Sequence, residues 1–124
     1  MIHLDTNFII GLVSPVSPLK SRLSVWLNAG EKLATSSIAW SEFLTGPVSQ
    51  QEVRDAATMI EGRIIVFGVR EAELAANLYN RTERKRVTRT DCFVAATAIR
   101  ARSSLATLNQ KDFAPFVAAG LHLA

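Results

Sequence analysis

The sequence predicts an α/β fold in which a mostly parallel sheet lies between two layers of helices. Short apolar segments with strand character alternate with amphipathic segments along the chain, an order typical of parallel sheets covered on both faces. The 124 residues, 48% of them hydrophobic, fit one domain over 1–124. A domain of this size buries enough surface to fold without disulfides or a structural metal.

The elements of the first half are predicted by signals at their ends. Polar caps follow the apolar strand segments, and glycine or proline ends the helices. Pro18 suits the start of a helix because its ring fixes a helical φ. The predicted elements are strands at 1–4 and 32–36, and helices that start after Asp5, run over 18–30, run from Ser36 or Ser37 to residue 44, and run over 51–60.

The second half repeats the alternation. Residues 64–67 are the clearest strand signal, because β-branched and aromatic residues follow one another there. A long helical pattern then runs into a basic segment, after which a threonine restarts a helix rich in alanine. The predicted elements are a strand at 64–67, helices over 69–84 and from Thr88 or Thr90 through Ile99, a strand at 104–107, a small helix at 111–116 and a short strand after Gly120.

Composition argues against several classes of protein. The single cysteine, Cys92, leaves no internal disulfide or Cys-pair zinc site and fits a reducing, cytoplasmic location. No apolar run approaches the ~18 residues that cross a bilayer, so we expect no membrane association. Nucleotide-binding glycine motifs do not occur. His3 and His122 stand apart, and we expect His3 to be packed or paired rather than catalytic.

Positive charge is concentrated in one segment. The net charge is only +3, but residues 81–89 carry five basic residues and one acid. Such a segment can attract phosphate groups or an acidic protein segment, and the alternative is a solvated helix face. The basic residues are Arg81, Arg84, Lys85, Arg86 and Arg89.

Three acids stand in short polar windows within apolar sequence. Asp5 follows the first strand but would also suit a helix N-cap, and Asp91 fits a capping box with Thr88. Glu42 lies among apolar helix residues, where an unpaired carboxylate is costly unless the short helix lets it reach water. For each acid alone, the structural and the functional interpretations stay open.

Taken together, the acids predict a shared pocket. In open parallel sheets, ligands bind beyond the carboxyl ends of the strands, near the point where the strand order reverses. Asp5 and residues 107–109 would meet there if the first and penultimate strands are neighbours. Clustered carboxylates stay ionised only with cations between them, and oxygen ligands without His or Cys favour Mg²⁺ or Mn²⁺. Such a site suits phosphodiester hydrolysis by a metal-activated water.

At these residues the sequence resembles the PIN-domain family, and within it the VapC-type toxins of bacterial toxin–antitoxin pairs. The resemblance covers essentially the whole chain and depends on the order and spacing of its motifs. The motifs are IHLDTN at 2–7, SSIAWSEF at 36–43, TDCFVAATA at 90–98, LATLNQKDF at 105–113 and the closing Gly120-Leu121.

The resemblance implies a three-layer α/β/α domain and Mg²⁺- or Mn²⁺-dependent endoribonuclease activity, with structured RNAs such as tRNA as common targets. Asp5, Glu42 and Asp91 match the family's three principal acids, and Asp5 and Asp91 are the expected direct metal ligands. Asn109 takes the fourth position, where the family often has an acid or an asparagine. Asp112 either compensates for the neutral Asn109 or caps the next helix, and the cap is the favoured interpretation.

The resemblance also bears on binding partners. It places Arg84, Lys85, Arg86 and Arg89 beside the metal site, where we expect them to contact RNA. It implies a small antitoxin that occludes the site and a toxin homodimer, with interface candidates Leu23, Trp26 and Trp40. Two alternatives stay open: a non-catalytic RNA- or protein-binding module, which the neutral Asn109 favours, and a nuclease that acts on DNA or in RNA processing.

Overall fold

The chain folds around a parallel β-sheet. The structure is a computed structural model and describes residues 1–82 and 87–124. Its strands are β1 (Ile2–Leu4), β2 (Leu33–Ser36), β3 (Ile64–Ile65), β4 (Ser104–Ala106) and β5 (His122–Leu123). They form one five-stranded sheet in the order β3-β2-β1-β4-β5, and each neighbouring pair is parallel. The predicted parallel sheet is therefore confirmed.

Helices form most of the connections between the strands. They are α1 (Thr6–Val13), α2 (Lys20–Asn28), α3 (Ser37–Thr45), α4 (Gln50–Ile60), α5 (Val69–Arg81), α6 (Arg89–Arg100) and α7 (Gln110–Phe113), followed by a 3-10 helix over Ala114–Ala119. The Ser36 hydroxyl accepts from the N–H of Ala39, and the Thr88 hydroxyl accepts from the N–H of Asp91. Ser36 and Thr88 are therefore the N-caps of α3 and α6, which settles both open cap assignments. No helix of the described residues is long and apolar enough to cross a membrane.

Two apolar cores lie on opposite faces of the sheet. Ile2 and Leu4 belong to the core that also contains residues of α1 and α4. Leu105, which pairs with His3 in the sheet register, belongs to the other core, with residues of α5, α6 and the 3-10 helix. Because side chains alternate along a strand, these two sets mark two faces, each covered by helices. The three-layer α/β/α arrangement is confirmed.

His3 is a buried polar side chain in the central strand. It points to the face opposite Ile2 and Leu4, and its ring is 0% exposed. Neither ring nitrogen has a hydrogen-bond partner within the described residues. Burial lowers the pKa of His3 to about 4, so the ring is neutral at physiological pH. The side chain is packed, as expected, but it is not paired.

Some predicted elements end elsewhere. The strand predicted at 64–67 is only two residues long, since Val66 is 72% exposed and the N–H of Phe67 donates to the Ser37 hydroxyl at 3.1 Å. β3 is an edge strand whose one neighbour in the sheet is β2, so hydrogen bonds from one side alone set its length. The helix predicted at 111–116 divides into α7 and the 3-10 helix that contains Pro115.

The helices predicted over 18–30 and 69–84 are shorter than expected. α2 begins at Lys20, because the N–H of Leu19 is bound by the Ser17 hydroxyl at 3.1 Å. α5 ends at Arg81, and the rest of that prediction enters residues 83–86, which lie outside the described residues.

The strand order reverses between β1 and β4. The sheet extends from β1 through β2 to β3, and β4 then lies on the other side of β1. Leu4 pairs with Ala106, so the residues that follow, Asp5 and Thr107, lie side by side at the carboxyl edge of the sheet. The expected meeting of these two segments is confirmed, at the place where open α/β sheets bind ligands.

Candidate active site

Asp5 is fixed at the end of β1 by bonds to two elements. One carboxylate oxygen, Oδ1, accepts from the N–H of Thr6 at 2.9 Å, and Oδ2 accepts from the Thr107 hydroxyl at 2.8 Å. The N–H of Asp5 donates to the carbonyl of Ala106 at 2.9 Å. Asp5 is thus the N-cap of α1 and is also held against the residue that follows β4. The capping role and the site role coexist.

The electrostatics of Asp5 disfavour its charged form. Burial raises the pKa of Asp5, and the charge of Asp112 raises it further. The bonds from Thr107 and Thr6 act in the opposite direction. A carboxylate with good hydrogen bonds and a raised pKa is one that a nearby cation would stabilise.

Glu42 reaches the same place from α3. The Thr6 hydroxyl donates to Glu42 Oε1 at 3.4 Å, which links α3 to the start of α1. Glu42 is exposed, so of the two interpretations left open the structure supports the one in which the short helix lets the carboxylate reach water. Partial burial raises the pKa of Glu42, and the charges of Asp5 and Asp91 raise it further. Glu42 therefore lies close enough to Asp5 and Asp91 for their charges to act on it.

Asp91 lies in the first turn of α6. Its N–H donates to the Thr88 hydroxyl at 3.0 Å, so it takes part in the cap of that helix. Burial raises the pKa of the Asp91 carboxyl, bonds with Thr88 lower it, and the charges of Asp5 and Asp112 raise it. The structure thus brings Asp5, Glu42 and Asp91 within electrostatic range of one another, as the sequence predicts.

Asn109 occupies the fourth position of the family's motif, whereas the negative charge near the acids comes from Asp112. Asn109 is the N-cap residue of α7, so the favoured assignment of Asp112 as that cap is wrong. The Asn109 side chain is exposed and makes no capping bond, while its N–H donates to the Thr107 hydroxyl at 3.0 Å. Asp112 lies in the first turn of α7, and its charge acts on both Asp5 and Asp91. The fourth negative charge at the crevice comes from Asp112.

The donor set suits a hard divalent cation. All of these side chains offer oxygen, the ligand atom that Mg²⁺ and Mn²⁺ prefer. Within residues 1–82 and 87–124, no three His, Cys, Asp or Glu side chains are already drawn together as a metal cluster. Mg²⁺ does not require one, because it commonly binds one or two carboxylates and keeps several waters. Asp5 and Asp91, the ligands that the resemblance implies, both offer carboxylate oxygens of this kind.

Arg89 is the one predicted RNA-contacting residue that the structure describes. It begins α6, two residues before Asp91, and it is exposed. Its guanidinium carbon lies 5.5 Å from the centroid of the Tyr79 ring. The other three predicted residues, Arg84, Lys85 and Arg86, lie outside the described residues.

Other singled-out residues pack into the fold. Cys92 is buried, and burial together with the Asp91 charge raises the pKa of its thiol to about 11, which fits an inert core residue. Trp26 and Trp40 are half-buried and stack at 5.5 Å on Phe8 and at 5.4 Å on Phe43, respectively. Leu23 is half-buried against the same core.

Thr6 and Thr107 hold the acids in position, and the sequence predicted the place of Thr107 but not the hydrogen bonds that either threonine makes. Thr6 contacts both Asp5 and Glu42, and Thr107 contacts Asp5 and the N–H of Asn109. Each threonine directly follows an acid or a strand, which was the available sequence signal. The contact of Thr107 with Asp5 depends on the register of β1 and β4, and that of Thr6 with Glu42 depends on the packing of α1 against α3.

Comparison with known proteins identifies the family. A sequence profile described as PIN domain matches residues 2–116. A toxin-antitoxin complex from Klebsiella pneumoniae is 28% identical with a TM-score of 0.74, over 92% of this chain and 91% of that chain. FitAcB from Neisseria gonorrhoeae is 25% identical with a TM-score of 0.71, over 99% of this chain and 96% of that chain.

A more distant structure shares the fold. VapBC2 from Rickettsia felis, bound to a DNA fragment from its promoter, is 21% identical with a TM-score of 0.74, over 100% of this chain and 98% of that chain. A search of curated proteins found no significant match. The profile and the structures agree with the resemblance to VapC-type proteins drawn from the motifs. The chain belongs to the PIN-domain family.

Proposed function

We propose that this protein is the toxin of a toxin–antitoxin pair and acts as an Mg²⁺- or Mn²⁺-dependent endoribonuclease. One observation carries the proposal: Asp5, Glu42 and Asp91 lie near the strand reversal, where the charge of Asp5 raises the pKa of both other acids and the charge of Asp91 raises that of Glu42. PIN domains are generally nucleases that use divalent metals. The acidic crevice supports that activity here.

The chain's own residues divide the work of the site. Asp5 and Asp91 would hold the cation directly, and Thr107 and Thr6 keep the Asp5 carboxylate aimed at the crevice. A bound Mg²⁺ or Mn²⁺ supplies a water of lowered pKa and positive charge for the phosphate. Glu42, exposed at the rim with a raised pKa, is suited to bind through water and to accept a proton there.

RNA is the substrate that the charge distribution favours. The basic segment 81–89 leads directly to Asp91, and Arg89 begins α6 two residues before Asp91. These cations would offset the repulsion between the acids and the phosphates beside the scissile bond. We expect structured cytoplasmic RNA such as tRNA to be cut.

The antitoxin is proposed from the structural neighbours, several of which are toxin–antitoxin complexes. A groove of about 730 Å³ between α1, α2 and α4 is a suitable place for an antitoxin segment. Leu12, Leu23 and Met59 give it apolar walls, and Glu52 and Asp55 add negative charge. A homodimer is also proposed, and light scattering of the purified toxin tests it.

A non-catalytic binding module is the second candidate. The observation that favours it is Asn109, a neutral side chain in the fourth position that is exposed and makes no capping bond. Asp112 weighs against this alternative, because its charge acts on Asp5 and Asp91. If the protein binds RNA but cleaves it neither with Mg²⁺ nor with Mn²⁺, the non-catalytic binding module is favoured.

A cleavage assay on total cellular RNA tests the function. Wild type, Asp5→Asn and the control Asp55→Asn are compared with Mg²⁺, with Mn²⁺ and with EDTA. Asp55 is an exposed acid of α4 that lines the other groove. We expect discrete fragments from wild type and Asp55→Asn with metal, and none from Asp5→Asn or with EDTA. Undiminished cleavage by Asp5→Asn would contradict the proposal.

A further inference from the structure

We propose that Arg22 and Lys111 form a second phosphate-binding subsite for the RNA strand, on the β4 side of the acidic crevice. Arg89 lies on the α6 side, so the two sets of cations would hold phosphates on both sides of the cleavage point. This inference rests on the proposed function and names a part of its substrate track.

A groove connects the two cations to the acids. It has a volume of about 600 Å³ and is lined by Arg22 of α2 and by residues 107–112. Thr107 belongs to both regions, because it lines the groove and its hydroxyl donates to Asp5 at 2.8 Å. Asp112 also lines the groove, and its charge acts on Asp5 and Asp91. The groove therefore adjoins the acids at Thr107 and Asp112.

Arg22 is held in place by distant parts of the chain. Its Nη2 donates to the carbonyl oxygen of Ala124 at 3.0 Å. Its guanidinium carbon lies 5.2 Å from the centroid of the Phe8 ring and 5.0 Å from that of Trp26. Stacking of this kind fixes the plane of a guanidinium before any ligand arrives, which reduces the entropy lost on binding.

Neither cation pairs with an Asp or Glu side chain in the part of the chain that the structure describes. Arg100 binds Glu71 at 2.7 Å and Arg63 binds Glu61 at 3.2 Å, but no Asp or Glu side chain of the described residues forms an ion pair with Arg22 or Lys111. A guanidinium has five N–H donors, and the structure gives Arg22 one hydrogen bond to the described residues.

The groove suits a phosphate backbone. It combines two positive side chains with the amide groups of Asn109 and Gln110, which bind phosphate and sugar oxygens. An acidic segment of a protein is the competing occupant. RNA is favoured because a strand cut at the crevice must continue past Thr107, and this groove starts there.

Binding measurements in an inactive background test the proposal. Fluorescence anisotropy of a short labelled single-stranded RNA is recorded against salt concentration for Asp5→Asn alone and combined with Arg22→Gln, Lys111→Gln or both. We expect the two changes together to weaken binding roughly tenfold and to reduce the salt slope by about 1.4, the value for two lost phosphate contacts on a single strand. Arg22→Lys should keep the salt slope, because the charge is retained, but lose part of the affinity, because an ammonium does not stack on Phe8 and Trp26 as the guanidinium does.

Lys20→Gln is the matched control. Lys20 is an exposed cation of the same helix but lines the groove between α1, α2 and α4. Its removal should leave RNA affinity and salt slope unchanged. Thermal unfolding of each variant is measured in parallel. Lys111 is exposed, so Lys111→Gln tests the subsite even if the loss of Arg22 stacking destabilises the fold.

The outcomes separate this inference from the proposed function. Unchanged RNA affinity and salt slope in the variant with both changes would overturn the subsite, whether or not wild type cleaves RNA. An equal loss of RNA affinity with Lys20→Gln would also overturn it. So would a loss seen only when polyglutamate, the probe for an acidic protein segment, replaces the RNA. If wild type fails to cleave with metal but the two changes still weaken binding as expected, the nuclease proposal fails and the subsite stands.

Discussion

His3 lies within β1 and Asp5 follows its last residue; both are buried and polar, but their surroundings differ sharply. Asp5 accepts two hydrogen bonds, and the charge of Asp112 acts on it. His3 is fully buried between the strands that carry Ala34 and Leu105, and no described residue bonds its ring. The edge of the sheet thus supports a polar group that can act, whereas the interior holds one that only costs stability.

The largest expected effect comes from removing the charge at the edge. Asp5→Asn should lower RNA cleavage by at least roughly a thousandfold, because the lost carboxylate is an expected direct metal ligand. The fold should persist, since an amide oxygen can still accept from Thr107 and one source of repulsion is gone. Single-turnover cleavage and thermal unfolding of the same preparation check this. Unfolding of the variant at neutral pH would instead make Asp5 mainly a structural residue.

Lowering the pH should destabilise the fold through His3. The pKa of His3 falls from 6.5 in the unfolded chain to about 4 in the folded one, so the unfolded state binds more protons below pH 6.5. The free energy of unfolding should therefore decrease by about 3 kcal/mol as the pH falls from 6.5 to 4. Urea unfolding across this range measures the decrease.

The acids of the crevice contribute with the opposite sign. The pKa values of Asp5, Glu42 and Asp91 are raised, so protonation favours the folded state and their contribution to stability increases as the pH falls through those values. The difference in the free energy of unfolding between wild type and His3→Leu gives the contribution of the histidine alone. A constant difference from pH 6.5 to 4 would contradict the assignment.

A smaller effect is expected for His3 at neutral pH. His3→Leu removes the unpaired ring atoms and keeps a similar volume, so it should raise the free energy of unfolding by about 1–2 kcal/mol. Leu105→Ala, at the register partner of His3, serves as the opposite case and should lower it by about 2–5 kcal/mol. A destabilised His3→Leu would indicate that the ring has a partner, such as a buried water.

The smallest expected effect concerns Asp112. Asp112→Asn should weaken Mn²⁺ binding by roughly threefold, because Asp112 acts on Asp5 and Asp91 through its charge rather than as a ligand. Calorimetric titration with Mn²⁺ measures the change, with Asp55→Asn as the control. A loss of more than a hundredfold would place Asp112 among the direct ligands.

Patterns that depend on neighbours in the sequence were predictable. Alternating apolar and polar segments gave the parallel sheet, and the position of Asp5 and Thr107 just after their strands gave the site. The end of β3 was not predictable, because an edge strand stops where its single neighbour stops pairing. The exposure of Glu42 depends on the orientation of the short α3 against the sheet, which the sequence does not encode locally.

The parts that were missed depend on contacts between distant residues. Arg22 lies in an ordinary amphipathic helix, and only its contact with Ala124, 102 residues away, shows that it is fixed beside the crevice. The exchange of roles between Asn109 and Asp112 depends on where a one-turn helix begins, and boundaries of that kind shift by one or two residues. Tertiary contacts therefore decide the details of the site, while the local pattern decides its place.

The central claim is that the acids at the carboxyl edge of the sheet bind the cation that supports RNA cleavage. Titration of wild type and Asp91→Asn with Mn²⁺, followed by electron paramagnetic resonance, with RNA cleavage recorded in the same samples, tests it most directly. We expect wild type to bind Mn²⁺ and to cleave as the site fills, and Asp91→Asn to lose binding and cleavage together. Cleavage by wild type in EDTA, or full cleavage by Asp91→Asn without bound Mn²⁺, would contradict the claim.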